Sequence, residues 1–498
     1  MNGSRCTGAP AAGGRFTTPA LAALVALAAL AAFSPSLGHG FVWDDKILIP
    51  PPGAAPAPSE IFLSPVDRLY RPVRTLSFLL DGALGAGAPA AYHAASVALH
   101  AAVSTLLFVF ILALASRPRP AFLTALLFAV HPLNAETVSW VSGGRADLLS
   151  ALFFVLALIF AARFSRAGGT ALAAAAACFA AALLSKENAV ALPAVALAVA
   201  PLMPRAEERR RIFIAAALFT AVLGAYMHLR FNVVGPARQV FTYHGGTPAA
   251  TLLTTSTVWV SYAREALVPR GLCPVYTVEI HRGFSPQVAL SVVLIASAAA
   301  AAAAGLIRGR TWGFGLAWFI AALLPVSNII PIGALKADRF MYLPLIGILI
   351  FISFAFDALA ARSAAALRRP SAAAPAHAAA LAALLVVFLP SLFRLVPVWK
   401  DGLALWSHAV ECAPSSWIAH NNLGAEYLRR GDGNLALSSF QKAAALNPRS
   451  ERVYSNLAEV HGRNADYVTA LEYLRKSLAL NPDNPAALFR AGFALEKL

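Results

Sequence analysis

The chain has 498 residues, 59% of them hydrophobic and 13% charged, too few polar side chains to cover a water-soluble globule of that size. Its formal net charge at pH 7 is +16, yet from Val398 onward it carries 11 basic and 10 acidic residues, leaving 29 and 14 for the portion before. Two solvents are therefore written into one chain: an apolar, basic membrane part over 1–397 and a charge-balanced, water-facing part over 398–498. The basic residues form short arginine clusters between apolar runs rather than one stripe, which argues against a nucleic-acid partner. Four cysteines (Cys6, Cys178, Cys273, Cys412) include no CxxC pair and no histidine at ligand spacing, so zinc ribbons and thioredoxin-like chemistry are excluded and no metal is expected. Cys273 and Cys412 fall on the same side of the membrane in the topology below, but spacing alone gives little reason to pair them.

Apolar runs that predict spans occur at 19–37, 92–115, 121–133, 146–162, 170–184, 189–203, 212–229, 287–307, 312–326, 341–360 and 374–395, about eleven transmembrane helices. Several are shorter than the roughly 20 residues of a perpendicular span, so neighbouring polar motifs lie at membrane depth or the helices are re-entrant. The first run also has the make-up of a signal peptide, but no A-x-A site precedes His39, and a retained span is expected.

Loops on one side hold 13 arginines: Arg117 and Arg119, Arg163 and Arg166, Arg205 with Arg209, Arg210 and Arg211, Arg308 and Arg310, and Arg362 with Arg368 and Arg369. With Arg5 and Arg15, these mark that side as cytoplasmic. The opposite side carries two long segments, 38–91 and 230–286, and three short ones at 136–147, 186–188 and 328–339. It holds 11 of the 14 acidic residues of the membrane part.

Prolines at 414, 448 and 482 recur every 34 residues, the period of the tetratricopeptide repeat. From Trp417, the residues Leu423, Gly424, Tyr427, Ala436, Phe440, Ala443 and Pro448 take the consensus positions. From Glu451, the residues Leu457, Ala458, Ala470, Leu474 and Pro482 do so. Two full repeats result, with half repeats at 402–414 and 485–498, building an α-solenoid with a concave face for a peptide or protein.

Candidate site residues gather on the side opposite the arginine loops. His39-Gly40-Phe41-Val42-Trp43-Asp44-Asp45 sets two adjacent carboxylates beside aromatic residues after the first span, where burial raises a carboxyl pKa toward the range of a general base. The alternative is a solvated cap. Arg71 and Arg74 flank Pro72 at a predicted helix start before the run LSFLLD, where both can meet a lipid headgroup. His131, ending an apolar run with Pro132, and Glu136 precede Arg145 and Asp147. An arginine at a helix start asks for an anion, which is either a phosphate or a pairing with Glu136 or Asp147. Lys186 and Glu187 interrupt two apolar runs at a depth where charge is costly. Asp338 is expected to cap the last outer helix start, with Arg339 beside it. Carboxylates and cations together at an outer membrane surface suit transfer from a phosphate-linked lipid donor.

The segments FVWDD, YRPVRTLSF, HPLNAETVSW with GGRADLL, LLSKENA and ADRFMYLP, followed by the repeats, resemble the transmembrane and tetratricopeptide (TMTC-type) O-mannosyltransferases. They resemble, more distantly, the protein O-mannosyltransferases of GT-C fold. The resemblance covers nearly the whole chain. It implies an all-α polytopic GT-C-type bundle followed by a tetratricopeptide solenoid, and an inverting enzyme that takes a sugar, usually mannose, from a polyprenyl phosphate to a protein Ser or Thr hydroxyl, with no metal cofactor. It implies Asp44 as general base with Asp45 its partner, and Arg71, Arg145, Lys186 and Arg339 as cations for donor phosphate or acceptor. His131, Glu136, Glu187 and Asp338 support them. The repeats would present an acceptor protein in the periplasm, and the bundle would sit among the lipids of a bacterial inner membrane. The repeat array is shorter than those of animal members. Two other readings are transfer to a lipid or glycan and a noncatalytic membrane scaffold that recruits partners through the repeats.

Overall fold

A computed structural model describes residues 17–498 apart from 52, 55, 64–68, 168, 236–240, 367 and 369–372; Arg5, Cys6, Arg15 and Arg369 lie outside the described residues. The described chain is helical without a β-strand. In order come α1 (Thr18–Phe33), α2 (Asp45–Leu48), α3 (Pro58–Leu63), α4 (Pro72–Gly85), α5 (Pro89–Ala115), α6 (Pro118–Ala129), α7 (Ala135–Ser139), α8 (Val141–Ala167), α9 (Ala171–Ser185) and α10 (Leu192–Val199). There follow α11 (Ala206–His228), α12 (Pro248–Glu265), α13 (Pro286–Ile307), α14 (Thr311–Leu323), α15 (Tyr342–Ala366) and α16 (Ala373–Leu395). The repeats are α17 (Gly402–Cys412), α18 (Trp417–Arg430), α19 (Gly433–Leu446), α20 (Glu451–Arg463), α21 (Tyr467–Leu480) and α22 (Pro485–Lys497).

Among the described residues, seven helices are long and apolar enough to cross a membrane. The chain is a multi-pass membrane protein. An eighth candidate is broken: Pro118–Ala129 and Pro132–Ser139 meet at a 47° bend, where Pro132 cannot donate to the helical ladder. The other three runs of the expected eleven form the shorter apolar helices Ala171–Ser185, Glu187–Leu202 and Thr311–Val326, so length alone supports fewer complete spans than hydropathy suggested. The first run packs Val25, Ala29 and Phe33 into the bundle core. Close backbone approach holds α14 to α15: a Cβ on Gly347 would stand 2.4 Å from the Phe319 nitrogen. Without a hydrophobic drive between helices in lipid, such contacts supply the packing.

In the repeats, Gly424 faces Phe440, and Ala436 and Ala458 are buried. The small consensus residues thus let paired helices close together. Asp401, Ser416, Asp466 and Asn484 cap α17, α18, α21 and α22 by accepting backbone N–H groups. The solenoid does not hang free. Val42, Trp140, Trp399, Leu405, Trp406 and Ala409 form one buried cluster joining the first outer loop, the α7–α8 junction and α17.

Candidate functional site

Two short elements build the site. A break after Ser139 lets the chain re-enter as α8, and Gly143 and Gly144 permit the tight return. A Cβ on Gly144 would fall 1.8 Å from the Thr137 carbonyl oxygen, a position that only glycine fits. The return leaves the Ser142 N–H pointing at the first outer loop, where Asp45 Oδ1 accepts it at 2.7 Å and Asp45 Oδ2 accepts the Val42 N–H at 2.9 Å. Asp45 is fully buried, and it clamps the loop to the head of α8. Trp43, held at φ +51°, stacks on Trp140 with ring centroids 4.5 Å apart and meets Trp406 at 4.9 Å. Asp44 precedes α2 and is half-buried, the more accessible of the two carboxylates.

Burial pushes the Asp45 carboxyl up to about 6, against the lowering pull of the Val42 and Ser142 hydrogen bonds. The folded protein thus takes up a proton near pH 6 that the unfolded chain takes up only near its ordinary value of about 4. The stability tied to this group is complete below pH ~4 and is lost as pH rises through about 6. Protonation also puts an O–H where an acceptor faces a backbone donor. The emission of the adjacent Trp43–Trp140 stack is therefore expected to titrate with a midpoint near pH 6. The same titration should be missing in Asp45→Asn, and an unchanged midpoint there would assign it to another group.

One turn of α8 supplies the next two contacts. Arg145 and Asp147 are two residues apart, roughly 200° around a helix, and point to opposite sides. Arg145 is buried and donates to Asp81 Oδ2 at 2.6 Å, to the Tyr92 carbonyl at 2.6 Å, and to Ser77 and Ser96 at 3.3 Å. Its expected partner Glu136 or Asp147 is thus replaced by Asp81, an acid on the buried face of α4. Asp147 instead accepts from Lys186 Nζ at 2.5 Å and Asn188 Nδ2 at 3.1 Å. Lys186 and Glu187 do not pair with each other, because adjacent residues diverge. Glu187 accepts from Arg71 Nε at 3.1 Å in a two-point contact. Arg71 stands at the head of α4 as Pro72 predicts, and Arg74 is buried, 5.8 Å from the Phe78 ring centroid, rather than facing lipid headgroups.

Arg339 pairs with Glu136 instead of Asp338, takes a second contact through its backbone N–H at 3.1 Å, and lies 5.2 Å over the Trp140 ring. Asp338 caps no helix; it accepts the Tyr276 O–H at 2.5 Å. His131 is structural: Nδ1 accepts the Leu133 N–H, and Nε2 lies 3.0 Å from the Ala266 carbonyl, to which it donates in that tautomer.

The Asp44 loop and Arg339 thus meet on one tryptophan, while Arg71, Lys186 and Arg339 all act on the charge of Asp147. Asp45 acts on Arg145. Arg145 and Lys186 are enclosed by their carboxylates and hold the scaffold. Arg71 and Arg339, at 11% and 20% side-chain exposure, reach the surface.

Residues not singled out from sequence complete the site. They are Asp81, Trp140, and the set formed by Lys336 Nζ, 2.6 Å from Glu265 and 4.3 Å over the Tyr276 ring. An acid inside an otherwise apolar amphipathic helix, as Asp81 is, was the available signal. Cys273 and Cys412 form a disulfide with Cα atoms 6.1 Å apart, contrary to the weak expectation from spacing. It fastens the second outer loop to α17. Among the described residues no group of three His, Cys, Asp or Glu side chains is arranged to hold a metal.

No family model matches the chain. It is 24% identical over 459 residues to the Drosophila melanogaster protein O-mannosyl-transferase Tmtc3, covering 76% of this chain and 48% of that one. It is also 24% identical to mouse TMTC4, over 77% of this chain and 59% of that one. A stretch of 90 residues, 18% of this chain and 11% of the relative, is 44% identical to mouse TMTC2. The chain spans about half the length of the curated relatives it matches over most of its own. Among solved structures, a chain of the APC/C hetero-tetramer Cut9-Hcn1 aligns at 12% identity and a TM-score of 0.25 over 85% of this chain and 93% of that one, which supports no argument. Over three quarters of its length the chain is similar to Tmtc3 and TMTC4, proteins named as protein O-mannosyl-transferases, in agreement with the motifs.

Proposed function

We propose that the chain is a glycosyltransferase of GT-C type that moves a sugar, mannose by kinship, from a polyprenyl phosphate to a Ser or Thr hydroxyl of a protein. The reaction takes place on the face that carries the repeats, the periplasmic side of a bacterial inner membrane in this reading. The acceptor oxygen bonds to the anomeric carbon from the side opposite the phosphate, so the product is inverted. The carbon–phosphate oxygen bond breaks, the polyprenyl phosphate leaves, and Asp44 takes the hydroxyl proton. Arg71 and Arg339 are assigned to the phosphate, whose charge grows as it departs. Asp45, Arg145 and Lys186 are positioning residues.

The observation that carries the reading is the meeting of the Asp44 loop, Arg339 and the first repeat helix on the Trp43–Trp140–Trp406 cluster. An acceptor held by the solenoid is thereby brought to the carboxylate. Mass spectrometry of exported proteins from cells with and without the gene should reveal hexose-bearing Ser or Thr peptides that vanish with it. An unchanged protein glycan profile alongside an altered lipid or glycan would move the acceptor to the second class, and no change in any would leave a scaffold.

A further inference from the structure

On the face opposite the repeats, three arginines from distant parts of the chain converge. Arg117 lies before α6, Arg310 before α14 and Arg362 near the end of α15. Together with Gly309, Trp312 and Phe354 they line a cavity of about 430 Å³. Arg362 is 24 residues beyond Asp338 along one helical path, ~36 Å at 1.5 Å per residue, so this cavity is separate from the candidate transfer site. Its charge is also unlike that of the other face. There each cation of the site is met by a carboxylate. Here Arg117 has Asp357 at 2.5 Å, whereas the guanidiniums of Arg310 and Arg362 make no ion pair or hydrogen bond among the described residues. Two uncompensated charges at the mouth of a cavity repel each other unless an anion sits between them.

The walls say which anion. Trp312 is half-buried and Phe354 buried, and Ala358 and Ala361 leave room beside them. Ile307 and Leu359, adjoining the lining segments, are 86% and 61% exposed, an apolar surface fit for acyl chains. A soluble phosphate would use the guanidiniums alone. A phospholipid uses both, its phosphate in bidentate contact with arginine and its tails along the helices. We propose that the cavity between α6, α14 and α15 binds the phosphate-bearing headgroup of an anionic glycerophospholipid in the leaflet opposite the repeats.

The test is native mass spectrometry of the purified full chain, released from micelles containing phosphatidylglycerol or phosphatidylcholine. Wild type is expected to retain phosphatidylglycerol roughly tenfold better, and the Arg310→Gln, Arg362→Gln double variant to lose that preference. Ala358→Phe, which fills the cavity and keeps both charges, should lose it as well, separating the site from bulk charge. Thermal melts of the variants check that the bundle is intact. Equal retention of the two lipids, or a preference surviving in either folded variant, overturns the proposal. Displacement of the lipid by inorganic phosphate also overturns it, in favour of a soluble anion.

Discussion

Asp44→Asn is expected to lower sugar transfer by roughly 10²- to 10⁴-fold, the usual contribution of a positioned general base, at unchanged abundance in the membrane. The two aspartates are separable because they do different things. Asp45 satisfies two backbone donors, Val42 N–H and Ser142 N–H, from a fully buried position. An amide at position 45 turns one acceptor into a donor facing a donor, which costs about 1–3 kcal/mol and loosens the loop. Asp44 is half-buried and lends its backbone carbonyl to α2, accepting the Ile47 and Leu48 N–H groups, and Asn preserves both that contact and the side chain's shape. Transfer assays on membranes normalised for protein should therefore find Asp44→Asn inactive with a wild-type melting curve, and Asp45→Asn inactive with a lowered one. Undiminished turnover in Asp44→Asn would reject the assigned base.

The grouping of the polar motifs on the side opposite the arginine loops can be read from the sequence because it needs only hydropathy and the count of arginines per loop. The repeats were legible from a fixed 34-residue period and small residues such as Gly424, which indeed lies against Phe440. Partner choice was not legible. Arg145 and Asp81 are 64 residues apart, Arg339 and Glu136 are 203 apart, and Cys273 and Cys412 are 139 apart. No local periodicity reports such distances. The first pairing is decided by how α8 packs on α4, the second by how the turn before α15 meets α7, and the third by how the segment after α12 meets α17. Where the sequence offers a nearby partner, Asp338 for Arg339 and Glu136 or Asp147 for Arg145, the structure supplies a distant one. On α8 a two-residue offset sends Arg145 and Asp147 to opposite faces. The span count was blurred for a related reason: Pro132 and the Lys186 break divide apolar stretches into helices too short to cross alone.

Asp81→Ala is expected to be the most destabilising single change at the site. Arg145 is 1% exposed and its guanidinium is held by Asp81, Tyr92 O, Ser77 and Ser96. Removing the carboxylate leaves a buried charge without its counterion, at about 3–5 kcal/mol, more than most surface changes by an order of magnitude. Since the cost arises from the orphaned cation, Asp81→Leu combined with Arg145→Met should recover most of the lost stability, whereas either change alone should not. The same pair decides what Arg145 does. As a positioning residue, its replacement alongside Asp81 leaves the KM for the lipid-linked donor within a few-fold of wild type once the bundle is stable. As a phosphate ligand, its loss raises that KM by tenfold or more, and no compensation at position 81 repairs it. Thermal unfolding of the single and double variants, followed by donor titration on the double, separates the two roles. A stable double variant with a greatly raised donor KM would return Arg145 to the substrate-binding set.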